Sequence, residues 1–283
     1  MTALNAWWIA NSLGPYPSLN FSKDTNYGAK YGANMIQPGS IISADGYSVL
    51  GSPKSFSTTD HDKVKSIRKF FDNNFSKQFV DGDAGVTNTE TDANLIDAFV
   101  NTSFSEAIGG QYANPWGLGF MSGDMFNVFF AEKIIQQFKP ELTVVNMQDV
   151  DIAHSNFTAY CDNMRKADYS LAHLWNTIQN TPGMMDDTIL IAVPEHGRNL
   201  ATNSLVDNYG RFALDHTGDD TSREIFCLVL GPAAKVYQNQ MINTVSGESI
   251  DVVPTVANIL GFDNDIPAYY KNQMGQSLAA AFK

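Results

Sequence analysis

What most limits the fold of this chain is an alternation in its second half. Short apolar runs, "LTVVNM" from Leu142, "TILIAVP" from Thr188 and "EIFCLVLG" from Glu224, occur among helical patterns, one from about Phe157 to Gln179 after the first run and another at "DVVPTVANILG" from Asp251 after the last. Runs that are apolar along their whole length, and not at every second residue, suit strands covered on both faces. Strands separated by helices in turn imply parallel pairing. The expected fold is therefore α/β, a largely parallel sheet with helices on both faces, and in such sheets a site forms outside the carboxyl ends of the strands.

The first half is less regular. Residues 15 to about 60 are rich in Gly, Pro, Ser and Asn and show no sustained period, the mark of loops and short strands. "HDKVKSIRKFFDNNF" puts Val64, Ile67 and Phe71 on one helical face, and "TETDANLIDAFVNTSF" does the same with Leu95 and Phe99. A third helix is expected in "GDMFNVFFAEKIIQQFKPE", with Asp124 as its N-cap and an end before Pro140. The chain then reads as one α/β domain over 1–283, with a loop- and helix-rich, insert-like segment at 15–140 and a core at 141–262. "AWWIAN" has the look of a buried strand almost at the first residue, which leads to the expectation that the domain is incomplete at its N-terminus.

Composition sets outer limits. A chain of 283 residues with 43% apolar content has material for one large core. Its formal charge of −12 argues against nucleic-acid partners, which require clustered Lys and Arg. No apolar run is long enough to cross a bilayer, and the start "MTALNAWWIANSLG" lacks the basic leader and long apolar segment of a signal peptide. The two cysteines, Cys161 in a helical pattern and Cys227 in a strand pattern, are expected to be buried apolar fillers and not a disulfide.

Chemistry concentrates at the strand ends. "NMQDVDIAHSNF" supplies Asp149, Asp151 and His154; "TILIAVP" runs into Glu195 and His196; "LDHTGDDTSREIF" supplies Asp215, His216, Asp219 and Asp220. Three of the five histidines fall in these segments. Imidazole nitrogen combined with carboxylate oxygen is the donor chemistry of Zn²⁺ and Mn²⁺, and a catalytic site leaves positions open for water or substrate. Any one such pair would be an ordinary solvated strand end, so the reading rests on all three together. His173, amid Leu171, Leu174 and Trp175, reads as a packing histidine.

The order of an Asp and a His, a strand ending in an acid and "HG", a further His, and then "ESIDVVPTVANILGF" resembles the carboxyl-terminal part of the alkaline phosphatase superfamily. That group includes phosphatases, nucleotide pyrophosphatase/phosphodiesterases, sulfatases and cofactor-independent phosphoglycerate mutases. The resemblance covers about 141 to 262. It implies an alkaline phosphatase-like fold, here without its N-terminal strand or strands, and two divalent metals, Zn²⁺ in preference to Mn²⁺. One metal would be held by an Asp of "DVD" with His154 and His216. Asp149 and Asp151 are both open for that role, with Asp149 preferred, and the other would orient a ligand or cap the next helix. The second metal would take Glu195 and His196. Two features depart from the family pattern: the acid before "HG" is usually Asp, and the first Asp and His usually stand four apart.

The family's nucleophile, a Ser, Thr or modified Cys at a helix N-terminus after a strand ending in Asp, has no clear counterpart. "SFSTTDHD" offers Ser55, Ser57, Thr58 and Thr59 beside His61, but no such strand precedes it, and it reads as a polar loop capping a helix. Arg198 in "HGRN" suits a phosphate or sulfate oxygen, or a surface salt bridge. The resemblance thus implies a metal-dependent hydrolase of phosphate esters, less readily sulfate esters, with its nucleophile segment missing. A phosphomutase is an alternative within that class, and a noncatalytic metal- or anion-binding remnant is an alternative outside it. The partner is a small-molecule ester. Relatives are frequently exported, which leads to a periplasmic or secreted location if a leader lies upstream. Oligomeric state is left open.

Overall fold

A computed structural model of the chain describes the backbone of residues 4–10 and 14–21, single residues between 95 and 106, and residues 121–266, 271 and 275–283. The expected helix at Val64, Ile67 and Phe71, the hydroxyls of Ser55, Ser57, Thr58 and Thr59, and His61 lie outside the described residues, as do the side chains of Trp7 and Trp8. The chain divides into two compact units, Met1–Asp149 and Val150–Lys283. The fold class is mixed α/β.

In the first unit three strands form one sheet in the order β2-β1-β3. Strand β1 (Leu4–Ala10) pairs antiparallel with β2 (Gly14–Phe21) and parallel with β3 (Leu142–Asn146). Pro15 and Pro17 in β2 cannot donate to a ladder, which suits a strand with a neighbour on one side. Helix α1 (Gly123–Phe138) packs on this sheet. It buries Met125, Val128, Phe129, Phe130, Ile134 and Ile135, an apolar surface that is nearly continuous around the helix.

The N-cap of α1 is Ser122, whose Oγ accepts from the backbone N–H of Met125 at 3.3 Å, and not the expected Asp124. Asp124 lies inside the first turn. Its carboxylate faces away from its own helix and accepts from the N–H groups of Gln148 and Asp149 at 2.7 and 2.9 Å, tying the end of β3 to α1. The helix stops at Lys139, in the left-handed region at φ 45°, immediately before Pro140. Leu95, Ala98, Phe99, Thr102, Ser103 and Glu106 are helical. Phe99, 6% exposed, meets Phe138 edge-on at 4.9 Å, whereas Leu95 is 50% exposed.

The second unit opens with a 3-10 turn that continues into the helix α2 (Phe157–Asn180), capped by Asn156, whose Oδ1 accepts from Ala159 N at 2.9 Å. One stripe of α2, Ser170, Leu174, Thr177 and Ile178, is buried at helical spacing. Cys161 stands on the opposite side. Both it and Cys227 are free and exposed, which corrects the expectation of buried fillers. Strand β4 (Leu190–Ala192) is followed by a hairpin of β5 (Thr202–Val206) and β6 (Phe212–Leu214), then by β7 (Leu228–Leu230) and α3 (Val252–Leu260). Among the described residues no helix is long and apolar enough to cross a membrane.

The pairing of these strands corrects the expected largely parallel sheet. β4 and β7 run antiparallel, with Leu190 opposite Leu230, and β5 and β6 form an antiparallel pair that has no counterpart among the expected strands. Among the described strands only β1 and β3 run parallel. The physical reason is that an apolar run reports burial and not direction. The long connection between β4 and β7, which carries the hairpin, lets the chain return antiparallel.

Candidate metal centre

The side chains of interest lie in the second unit, on the 3-10 turn, on the loop after β4 and just after β6. A 3-10 turn has three residues per turn, so positions i and i+3 eclipse. That stacks Asp151 on His154, whose Nε2 is 3.1 Å from Asp151 Oδ1. The other ring nitrogen, Nδ1, is 3.1 Å from Oδ1 of Asp215. Asn203 on β5 holds this arrangement from outside, donating from Nδ2 to the His154 carbonyl at 2.9 Å and to Asp215 Oδ1 at 3.1 Å.

The loop after β4 is fixed by its backbone. Gly197 N donates to Ser222 O at 2.7 Å, Asn199 N to Asp215 O at 2.8 Å, and Thr221 Oγ1 to Arg198 O at 2.9 Å. Asp219 caps the Asp220–Arg223 turn through Thr221 and also accepts from Leu200 N at 2.9 Å. Those bonds draw Gly197 so close to the turn that a Cβ there would stand 2.5 Å from Thr221 O and 2.6 Å from Glu224 O. The glycine of "HG" is therefore required by a close approach of backbone, which brings His196 against the segment that carries His216.

The three imidazoles gather at one place. His196 and His216 stack with ring centroids 3.9 Å apart, and His154 meets His216 edge-on at 4.7 Å. Asp151, His196 and His216 each offer a ligand atom, all within 4.8 Å of one another. One carboxylate and two imidazoles, partly open to solvent, match the donor chemistry of a catalytic zinc site with a free coordination position. By that test the residues fit a divalent cation. His154 adjoins the group, and Glu195 is exposed and outside it. Among the described residues this is the one such group of His, Cys, Asp and Glu.

Of the two acids of "DVD", Asp149 is engaged elsewhere: its Oδ2 accepts from Asp124 N at 2.9 Å, at the start of α1. Asp151 instead meets His154 and Arg198. The Arg198 Nη2 donates to Asp151 Oδ1 at 2.8 Å, and its Nη1 is 3.4 Å from His154 Nε2. The hydrogen bond from Arg198 holds the Asp151 carboxyl below the usual carboxylate range, with the nearby imidazoles acting in the same sense. Asp215 is also lowered, first by its hydrogen bond with His154 and then by Asn203. Asp215 was singled out in sequence without a ligand role, and Asn203 was not singled out at all. Asp215 stood out by its place directly before His216; Asn203 had no such signal, since its partners are distant in sequence.

Comparison with protein-family models, with curated proteins and with solved structures finds no match to this chain.

Proposed function

We propose that this chain binds a divalent cation, zinc in preference to manganese, through Asp151, His196 and His216, and hydrolyses phosphate esters there as an alkaline phosphatase-like protein. The observation that carries the reading is the grouping of those three donors within 4.8 Å beside an arginine. A bound divalent cation would supply Lewis-acid polarisation of the ester and a lowered pKa for the attacking oxygen. The chain's own residues supply the rest. Arg198 offers a planar fork of donors matched to a tetrahedral anion. Asp215 and Asn203 hold the His154 ring in place, so that Nε2 is turned toward Asp151. Glu195, beside His196 and exposed, is the residue left for a second cation. Sulfate esters are the less favoured substrate, and phosphomutase action an alternative.

A second reading has its own observation. The ion pair of Arg198 with Asp151 and the hydrogen bond of His154 with Asp215 form a polar network that would by itself clamp three loops. Metal content measured by mass spectrometry, together with hydrolysis of p-nitrophenyl phosphate and p-nitrophenyl sulfate, separates the two. Bound zinc, phosphate ester turnover that stops in chelator, and a loss of about a hundredfold or more in His216→Ala support the hydrolase. Zinc binding without turnover supports a noncatalytic metal protein. Protein that binds no zinc would leave the clamp.

A further inference from the structure

Arg198 stands in conflict with a cation at Asp151. A cation at Asp151 would share that carboxylate with the Arg198 guanidinium, whose Nη2 already donates to Oδ1 at 2.8 Å. Two positive groups on one carboxylate repel, and the Arg198 side chain, only 12% exposed, has little water around it to screen that repulsion. Asp151, at 58%, is open to solvent on its other side. Among the described residues Arg198 pairs with no second carboxylate: Nη1 faces His154 Nε2 at 3.4 Å, and Cζ lies 5.9 Å from the centre of the Tyr160 ring.

Building on the cation site proposed above, we infer that Arg198 is a cation-released arm: it holds Asp151 while no cation is bound, yields that carboxylate when a divalent cation arrives, and only then presents its freed guanidinium to the anionic group of the ester. The anion subsite is thereby made by cation binding, and the order is cation first and anion second. Because coupling between two sites is reciprocal, phosphate must also tighten cation binding, and Arg198 must weaken cation binding when phosphate is absent.

Zinc titration by calorimetry of the wild-type protein, Arg198→Ala, Arg198→Gln and Arg198→Lys tests this. Removing the charge should tighten zinc binding by about tenfold in the Ala and Gln variants, the scale on which groups around a ligand alter metal affinity. The Lys variant, which keeps the charge, should stay near wild type, and circular dichroism checks that each variant is folded. Zinc binding that weakens or stays unchanged in both neutral variants overturns the inference while leaving the cation site in place, since Arg198 would then orient Asp151 or be indifferent to it. No zinc binding by wild-type protein overturns the site and the inference together. The wild-type chain gives an independent reading with inorganic phosphate, whose affinity should rise when zinc is present; phosphate affinity unchanged by zinc overturns the inference.

Discussion

At the scale of single residues, the pair "HG" carries two different physical demands. His196 contributes donor chemistry, whereas Gly197 contributes the absence of a side chain, because two backbone carbonyl oxygens occupy the space where its Cβ would go. Gly197→Ala should therefore cost about 1–3 kcal/mol, the usual penalty for overpacking where the obstructing atoms are backbone. It should also weaken zinc binding by pushing His196 away from His216. Chemical denaturation and zinc titration check this, and a variant as stable as wild type would show that the turn at Asp220–Arg223 gives way freely. The choice between Asp149 and Asp151 is also a residue-scale matter. Sequence left it open because the two acids precede His154 by five and by three residues, on either side of the family's usual four. The eclipsed geometry of the 3-10 turn sets Asp151 against His154, and the Asp149 carboxylate accepts from the start of α1.

At the scale of elements, helices were easier to read than strands. The expected helix from about Phe157 to Gln179 and the observed α2 (Phe157–Asn180) agree closely, since a long 3.6-residue period and an Asn at the cap are local signals. The β5–β6 hairpin was missed, although "DNYG" supplies turn residues, including Gly210 at φ 77°. What locks that hairpin is Asp207. It accepts from Thr158 N at 2.9 Å and Thr158 Oγ1 at 2.6 Å at the start of α2, and from Tyr209 N and Arg211 N in the turn. Those bonds, led by the Thr158 hydroxyl, hold its carboxyl far below the usual range. A carboxyl depressed in the folded state stabilises above the pKa it has when unfolded and loses that contribution as pH falls toward its folded value. Asp207→Ala should thus lower the melting temperature at neutral pH, with the gap to wild type shrinking progressively below about pH 4. A gap that stays constant into strong acid would count against this.

At the scale of the molecule, all the grouped donors belong to the unit Val150–Lys283, on segments far apart in sequence that the fold places together. A ligand that binds only the folded arrangement stabilises it by mass action. Zinc at about a hundred times its dissociation constant should add about 2.7 kcal/mol, seen as a raised melting temperature and as slower hydrogen exchange around 195–200 and 215–224. An unfolding transition indifferent to zinc would tell against the proposed cation site. By itself the sequence determined the helices at Gly123–Phe138, Phe157–Asn180 and Val252–Leu260, the apolar runs and the polar residues that end each run, because these follow from local periodicity. Tertiary structure alone decided that β4 and β7 pair antiparallel, that Asp151 meets His196 and His216, and that Asp215 and Asn203 brace His154. Strand direction and side-chain convergence depend on where distant segments pack, and periodicity within one segment carries no record of its neighbour.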